Sequence, residues 1–352
     1  MRVLVTGGAG FIGSAVVRRL CRESDVKVLV VDSLAYGGSR ESLAGCDPSR
    51  WQLTVLDIRD GGALTAVVGE FTPEWVVHLA AESHVDRSLE EPGQFIETNV
   101  VGTYNVLEAA RRCWDGLVPE HRAQCRFIQV STDEVFGELG PSGRFTPDSA
   151  YAPRSPYAAS KAGADHLARA WHTSFDLPTM VSHSTNNFGP FQFPEKFIPV
   201  LIMNGLLGED LPIYGDGGQI RDWLYVDDHA DALVKILRQG EPGHTYLLGG
   251  DSERTNLVVA ETVADLLDRL AGPLPGRRRR ELIRHVEDRP AHDRRYAIDS
   301  SATTTALGWR AETSFGAGME KTVRWYLANS AWTQSMLDRD GGYRRRGLRI
   351  PR

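Results

Sequence analysis

The chain has 352 residues, a length that predicts one large domain or two closely packed ones. Its formal net charge of −6 argues against a nucleic-acid partner, and no apolar run is long enough to cross a membrane. The four cysteines form no CxxC pair and no zinc spacing, so no metal site is predicted. Residues 1–6 indicate a first strand rather than a signal peptide, and we therefore expect a cytoplasmic protein.

Apolar, β-branched runs alternate with helix-length segments through the first half of the chain. The predicted strands are residues 2–6, 26–32, 51–56, 75–79, 126–131 and 179–183. Several are continuously apolar, which is typical of strands covered on both faces. The predicted helices include residues 14–21, 100–112 and 157–175. This alternation predicts an α/β fold with a doubly wound parallel sheet.

The pattern changes after about Thr185, where proline and glycine become frequent. We expect residues 1–184 to form the sheet domain and residues 185–330 to form a smaller, loop-rich C-terminal domain that binds the substrate. Residues 245–248 are predicted to return one strand to the main sheet. The Arg-rich residues 338–352 are predicted to form a flexible tail.

A glycine pattern at Gly7, Gly10 and Gly13 stands between the first predicted strand and a helix. In that context glycine permits a tight turn and lets the backbone approach a pyrophosphate, which sits at the helix N-terminus where N–H groups and the dipole favour anions. Asp32 ends the second predicted strand, where a carboxylate binds the adenosine ribose and repels a 2′-phosphate. The pattern therefore predicts a Rossmann-type domain that binds NAD rather than NADP.

The third and fourth predicted strands end at the same edge of the sheet, where folds of this type bind ligands. Asp57 and Ile58 are predicted to lie near the adenine. Leu79, Ala80 and Ala81 have side chains that let the backbone approach the cofactor.

Tyr157 and Lys161 form a Tyr-x-x-x-Lys pair behind Ser155 and Pro156. Ser155 suits a helix N-cap and Pro156 the first turn, so the pair lies one turn apart on one helix face. A tyrosine with an unperturbed pKa of about 10 is a poor base at neutral pH. A nearby ammonium group and a positively charged nicotinamide ring are expected to lower that pKa. The motif therefore predicts a catalytic tyrosine.

Two adjacent carboxylates, Asp133 and Glu134, follow the fifth predicted strand. Consecutive strand residues point to opposite faces, so both can serve one site only past the strand, where the backbone turns toward Gly137. Two neighbouring carboxylates with pKa values pushed apart supply an acid and a base. A solvated acidic turn is the alternative interpretation.

These motifs resemble the extended short-chain dehydrogenase/reductase family over about residues 1–326, and within it the dTDP-glucose 4,6-dehydratases. Further matching stretches are residues 80–88, 131–137, 186–190, 193–196, 221–223 and 288–293. The triplet Thr132-Asp133-Glu134 is the specific feature, because related epimerases have small polar residues there and related decarboxylases lack the paired acids. A UDP-sugar 4,6-dehydratase, another nucleotide-sugar enzyme such as a 4-epimerase or decarboxylase, and a non-catalytic dinucleotide sensor are the alternatives.

The resemblance implies conversion of dTDP-glucose to dTDP-4-keto-6-deoxyglucose with NAD as the cofactor. Tyr157, helped by Thr132, would remove the 4-OH proton while the C4 hydride passes to NAD⁺. Glu134 would remove the C5 proton and Asp133 would protonate the departing 6-OH, after which the hydride returns to C6 and C5 regains a proton. Each proton transfer needs a group within hydrogen-bond reach.

The same resemblance implies the binding residues. The NAD site is predicted to comprise Gly7, Gly10, Phe11, Ile12, Gly13, Asp32, Ser33, Leu34, Ala35, Asp57, Ile58, Leu79, Ala80, Ala81, Ser83, Thr98, Tyr157, Lys161 and Asn187. The substrate site is predicted to comprise Ser83, Thr132, Asn186, Lys196, Phe197, Pro212, Tyr214, Arg221, Asn256, Arg289 and His292. Among these, Lys196, Arg221 and Arg289 suit a diphosphate, and Tyr214 could stack on the pyrimidine.

A homodimer built through the predicted helices at 100–112 and 157–175 is also implied. The second of these helices carries small residues that permit close approach and then larger apolar ones at helical spacing, namely Ala158, Ala159, Ala162, Gly163, Ala164, Leu167, Ala170 and Trp171. Packing of this face within one subunit is the alternative.

Overall fold

The structure is a computed structural model that describes residues 1–35, 37–288 and 292–339. Its strands, numbered in chain order, are β1 (Arg2–Thr6), β2 (Lys27–Asp32), β3 (Trp51–Val55), β4 (Trp75–His78), β5 (Arg126–Thr132), β6 (Thr179–Ser184), β7 (Asn186–Phe188), β8 (Leu211–Tyr214), β9 (Ile220–Tyr225), β10 (Thr245–Leu248), β11 (Glu253–Thr255) and β12 (Ile283–Val286).

The α-helices, numbered in the same way, are α1 (Phe11–Leu20), α2 (Gly61–Phe71), α3 (Val85–Glu90), α4 (Pro92–Phe95), α5 (Gly102–Trp114), α6 (Pro119–Arg122), α7 (Pro156–Phe175), α8 (Phe197–Leu207), α9 (Val226–Gln239), α10 (Asn256–Ala271), α11 (Ser301–Leu307), α12 (Phe315–Ala328) and α13 (Ser330–Arg339). Short 3₁₀ turns and one π-helical turn, Ile96–Val101, complete the regular structure of the described residues.

Seven strands form the main sheet in the order β10-β6-β5-β4-β1-β2-β3, and every pairing is parallel. The chain runs outward from β1 to β3, returns to place β4 beside β1, and then runs outward in the other direction. The carboxyl ends of β1 and β4 therefore form a topological switch point, where such sheets bind ligands. The predicted fold class is confirmed, and so is the return of residues 245–248 to this sheet.

Helices cover both faces of the main sheet. On one face, α1 and α9 pack through residues such as Val16 and Leu233. On the other, α2, α5 and α7 contribute Leu64, Leu107 and Ala168 to a second buried cluster. Successive residues of each strand enter these two clusters alternately, which explains why the strands are continuously apolar.

A second layer holds the three-stranded sheet β11-β9-β7 and the parallel pair β12-β8. Helices α8, α10 and α12 enclose its core, which includes Leu201, Val263 and Met319. The prediction of a loop-rich region after Thr185 is wrong, since the segment contains four helices of eleven or more residues. Pro199 misled the prediction, because it lies in the first turn of α8, where a missing N–H is tolerated. The same segment also supplies α9 to the first layer.

Helix boundaries differ from the prediction where glycine is involved. The first helix begins at Phe11 rather than at Ser14, because Gly10 is its N-cap and Gly13 lies inside the first turn. Residues 338 and 339, which were predicted to belong to a flexible tail, lie in α13. Residues 340–352 lie outside the described residues. No described helix has both the length and the apolar character needed to span a membrane.

The exposed face of α2 contains Gly69, where an added Cβ would have no neighbouring atom within 4 Å. We expect Gly69→Ala to raise the free energy of unfolding by about 0.5–1 kcal/mol, because alanine loses less backbone entropy in a helix. Chemical denaturation of the purified variant measures this change. Gly13→Ala is the contrasting variant, because its Cβ would lie 2.1 Å from the Gly7 carbonyl oxygen. A destabilised Gly69→Ala would contradict the helical geometry described here.

Candidate active site

The larger cavity, of about 460 Å³, lies at the carboxyl ends of β1, β2 and β4. Of the residues predicted to bind NAD, those on its wall are Gly7, Gly10, Phe11, Ile12, Gly13, Asp32, Ser33, Ala35, Asp57, Ile58, Leu79, Ala80, Ala81, Ser83, Thr98, Tyr157 and Lys161. Residues from four strand ends and two helices thus converge on one space of a size typical of ligand sites.

Leu34 and Asn187 do not line this cavity, so their part in NAD binding stays a prediction. The side chain of Leu34 packs toward the core beside α1 from a backbone with φ +52°. Asn187 lines a second, smaller cavity, and its Oδ1 atom lies 2.9 Å from His229 Nδ1. Sequence reasoning also missed further wall residues. Arg59, Glu82, Gln192 and Phe193 come from loops, where no periodic pattern marks them, and Arg87 lies in the short helix α3.

The glycine turn is shaped by close backbone contacts. A Cβ on Gly13 would lie 2.1 Å from the Gly7 carbonyl oxygen, and one on Gly7, at φ +68°, would lie 2.6 Å from the Ala80 nitrogen. Helix α1 then begins at Phe11, and its N-cap residue, Gly10, has no side chain that could cap the first turn. Its first turn lines the cavity, so its N–H groups and positive dipole end suit the pyrophosphate of a dinucleotide.

Asp32 is held at the end of β2 by two backbone donors. The Ala9 and Leu34 N–H groups donate to its Oδ2 and Oδ1 atoms, both at 2.9 Å. Burial raises the pKa of Asp32, and these hydrogen bonds oppose that shift. A carboxylate has about four acceptor positions, so this one retains capacity for the two ribose hydroxyls. The residues present therefore fit NAD.

Helix α7 places Tyr157 and Lys161 on the same cavity wall. As predicted, Ser155 caps the helix by accepting a hydrogen bond from the Ala158 N–H at 3.1 Å, and Pro156 is the first helical residue. The Lys161 ammonium is buried and donates to the Val130 carbonyl oxygen at 2.7 Å. The helix therefore fixes both side chains at the end of β5.

The surroundings of Tyr157 in the protein itself raise its pKa, and the lowering expected from Lys161 together with NAD⁺ stays a prediction. Burial raises the pKa of this phenol, Glu134 raises it further, and a hydrogen bond with Thr132 opposes the shift. Burial also lowers the pKa of Lys161, while Asp165 raises it. Desolvation and nearby carboxylates thus outweigh the ammonium group, so a phenolate here depends on positive charge brought by a bound cofactor.

The two acids leave β5 in a one-turn 3₁₀ helix, Asp133–Phe136. Thr132 caps that turn, because its hydroxyl accepts a hydrogen bond from the Glu134 N–H at 3.3 Å. The turn ends at Gly137, where φ is +84° and an added Cβ would lie 2.5 Å from the Ala152 carbonyl oxygen. The backbone therefore turns where the sequence predicted.

Asp133 is only 2% exposed, which excludes the alternative of a solvated acidic turn. Burial raises the pKa of Asp133 well above its ordinary value, Glu134 raises it further, and Arg221 opposes the shift. Its Oδ2 atom has no hydrogen-bond partner among the described residues. Such a carboxyl group is suited to carry and donate a proton, whereas Glu134 lines the smaller cavity directly.

The smaller cavity has a volume of about 200 Å³ and lies between the two layers. Its wall contains most of the predicted substrate residues, namely Ser83, Asn186, Lys196, Phe197, Tyr214, Arg221, Asn256 and His292. Thr132 and Pro212 are buried and do not line this cavity, so their part in substrate binding stays a prediction. Arg289 lies outside the described residues. Sequence reasoning missed His84, Asp86 and Trp223.

The two cavities share a boundary formed by Ser83, Gln192 and Lys196. Across it, Lys196 Nζ donates to the Ser83 carbonyl oxygen at 3.1 Å, and the Tyr214 hydroxyl lies 3.3 Å from Asp86 Oδ2. Tyr157 faces the first cavity and Glu134 the second. The geometry therefore lets two ligands meet between a tyrosine and a pair of acids.

Comparison with known proteins agrees with this geometry. The family model described as GDP-mannose 4,6 dehydratase matches residues 4–322. A dTDP-glucose 4,6-dehydratase from Escherichia coli K12 is 49% identical, with 97% of each chain covered. The enzyme of that name from Neisseria meningitidis is also 49% identical, again with 97% of each chain covered.

A solved dTDP-glucose 4,6-dehydratase from Streptomyces venezuelae, crystallised with NAD, superposes with a TM-score of 0.85. It is 41% identical, and the match covers 96% of this chain and 100% of that one. A match of this extent includes both layers and both cavities. This chain therefore belongs to the nucleotide-sugar dehydratase family, and within it to the dTDP-glucose 4,6-dehydratases.

Proposed function

We propose that this protein uses NAD to convert dTDP-glucose into dTDP-4-keto-6-deoxyglucose and water. The observation that carries the proposal is the meeting of the two cavities between Tyr157 and Glu134, with the buried carboxyl of Asp133 beside them. An oxidation alone needs the tyrosine but not the acids. An elimination of water needs a base for a carbon acid and a proton for the leaving hydroxyl, and two carboxyl groups supply both.

The cofactor would be held by the glycine turn before α1, by Asp32 and by the small residues at the end of β4. When bound, NAD⁺ supplies the acceptor for the hydride of sugar C4 and returns that hydride at C6. Its positive charge would also favour the phenolate form of Tyr157. Burial and nearby carboxylates disfavour that form, because they raise the pKa of the phenol.

Tyr157 would take the proton of the sugar 4-OH, with the Thr132 hydroxyl beside it. The ammonium of Lys161 is anchored by the Val130 carbonyl oxygen at 2.7 Å, so its charge stays fixed one helical turn from the phenol. Lys161 therefore stabilises the phenolate without leaving its position.

Glu134 would remove the C5 proton, because its side chain lines the cavity assigned to the sugar, and C5 would regain a proton when the hydride returns to C6. Asp133 would protonate the departing 6-OH, because burial keeps the pKa of this carboxyl raised. The two neighbouring acids thus have separate tasks set by their surroundings: one is sealed from water and the other faces the substrate.

The nucleotide sugar would occupy the smaller cavity, with Lys196 and Arg221 near its diphosphate. We assign residues 1–184 and 245–248 mainly to NAD binding, and residues 185–330 mainly to substrate binding. The relatives at 49% identity act, by name, on dTDP-glucose. They favour this substrate over a UDP sugar, and the acid pair disfavours a 4-epimerase or decarboxylase.

We further propose a homodimer formed through α5 and α7. Apolar side chains exposed in this region include Ile96 at 47%, Tyr104 at 43% and Phe175 at 44%. The Tyr104 and Trp171 rings contact edge to face at a centroid distance of 5.8 Å, which makes the apolar surface continuous across the two helices. Such a patch is typical of an isologous interface.

Not all of the small residues predicted for this interface face outward. Ala158, Ala162 and Ala164 are buried within the subunit, whereas Ala159 and Ala170 are exposed. We also infer a cytoplasmic location, which is supported by four cysteines that are all free thiols.

Tyr157→Phe tests the proposed base. We expect NAD and substrate binding to persist while turnover falls at least about a hundredfold, because the phenol oxygen that takes the proton is missing. Product formation and ligand titration measure the two quantities. Turnover within threefold of the unmodified enzyme would contradict the assignment.

Asp133→Asn and Glu134→Gln separate oxidation from elimination. In single turnover, NADH absorbance should rise and persist in both variants, because removal of the C4 hydride uses Tyr157 rather than the acids. The 4-keto-6-deoxy product should form at least about a hundredfold more slowly. If neither variant forms NADH with substrate bound, the acids act before the elimination.

Sedimentation at micromolar concentration tests the dimer. The unmodified chain should sediment as a dimer, and Tyr104→Glu should shift it toward monomer because it places a charge in the apolar patch. Val55→Glu is the matched control, since this 57% exposed valine lies on the edge strand β3. A monomeric unmodified chain would refute the dimer.

A further inference from the structure

Asp165 is a buried carboxylate that neither cavity contains. It lies on α7, one turn after Lys161 and two turns after Tyr157, and its exposure is 0%. It lines neither cavity, so it cannot touch a ligand bound there. A buried carboxylate is unfavourable unless hydrogen bonds compensate it, so its partners indicate its role.

One oxygen of Asp165 collects partners from three other segments. Its Oδ2 atom accepts a hydrogen bond from Ser131 Oγ at 2.6 Å and from the Tyr151 hydroxyl at 3.1 Å. His183 Nε2 lies 3.2 Å from the same oxygen and 2.8 Å from the Tyr151 hydroxyl. These partners lie on β5, in the loop before α7 and on β6. A single atom therefore ties α7 to the sheet edge and to that loop.

The bond to Ser131 has a direct bearing on the acids. Ser131 is followed at once by Thr132, Asp133 and Glu134. The hydrogen bond from the Ser131 hydroxyl to Asp165 joins β5 to helix α7. Strand β5 leads into the two acids, and helix α7 carries Tyr157. Proton transfers among these groups need their separation held within a few tenths of an ångström.

The charge of Asp165 acts on the same groups. Those that face it are Lys161 and Tyr157 on its own helix, His183 on β6, and Tyr151, whose hydroxyl also accepts a hydrogen bond from Arg169 at 3.3 Å. Burial lowers the pKa of Lys161 and Asp165 opposes this, so the carboxylate helps to keep the ammonium charged. Its Oδ1 atom has no hydrogen-bond partner among the described residues, so its negative charge is only partly compensated.

We propose that Asp165 is a positioning residue that holds the acids Asp133 and Glu134 in register with Tyr157 through Ser131. This inference rests on the function proposed above, because it assumes that those residues perform the reaction.

Asp165→Asn is the test, since it keeps the volume and removes the charge. We expect kcat to fall at least about tenfold, with KM and NAD binding changed less than threefold. Loss of a negative charge favours the neutral amine of Lys161 and the phenolate of Tyr157, so both pKa values fall. Both limbs of the pH profile of kcat should therefore move toward acid pH.

Two further variants separate this role from a general effect on folding. Ser131→Ala removes the link to β5 and keeps the charge of Asp165, so kcat should fall while the pH profile stays in place. Because Ser131 also lines the larger cavity, NAD binding is measured in the same variant and should change less than threefold. This variant also serves if Asp165→Asn does not fold. Asp228→Asn removes a buried carboxylate that accepts two hydrogen bonds from Thr313, at 2.8 and 3.1 Å, away from both cavities. It should lower the melting temperature without moving the pH profile.

A folded Asp165→Asn variant with unchanged kcat and pH profile would overturn the inference, as would a Ser131→Ala variant with unchanged kcat. Tyr157→Phe distinguishes this failure from failure of the proposed function. If the tyrosine variant is inactive while Asp165→Asn behaves as the unmodified enzyme, only the role of Asp165 is refuted.

Discussion

The site depends on the burial of ionisable groups at the end of β5. Lys161, Asp133 and Tyr157 all lie where burial disfavours their charged forms. Their protonation states therefore depend on one another and on what binds beside them. Asp133 is buried with a raised pKa and Glu134 is only partly buried, so the two neighbouring carboxyl groups are suited to act as acid and base. Burial also favours the neutral phenol of Tyr157 until a positively charged cofactor binds beside it.

The parallel sheet makes this constraint possible. Because all its strands end at one edge, β1, β2, β4 and β5 deliver the glycine turn, Asp32 and the acids to a single crevice. Helix α7 then crosses the end of β5 and brings Tyr157 to the same place. The second layer closes the crevice from the other side, and Lys196 and Tyr214 reach across to the segment that follows β4. The rigid elements thus set the separations that proton transfer requires.

Most of the first layer could be predicted from the sequence, because strands that are buried on both faces have continuous apolar runs. The second layer could not, since its short strands and its helix with Pro199 lack a regular alternation. In the site, residues within motifs, such as Gly13, Asp133 and Tyr157, were found because local geometry demands those residue types. Wall residues from loops, such as Glu82 and Gln192, were missed because only the tertiary fold brings them to the cavity. The burial that raises the pKa of Tyr157 could not be predicted for a related reason: the motif shows the lysine but not the depth of burial.

We propose that a single site moves a hydride from C4 to C6 of the same sugar. Incubation with dTDP-glucose deuterated at C4 tests this most directly, with the product analysed by mass spectrometry and NMR. We expect one deuterium on C6 of the 4-keto-6-deoxy product, and we expect that this deuterium does not exchange with solvent. Deuterium that is lost to solvent, or that stays at C4 of an epimerised or unchanged sugar, would contradict it.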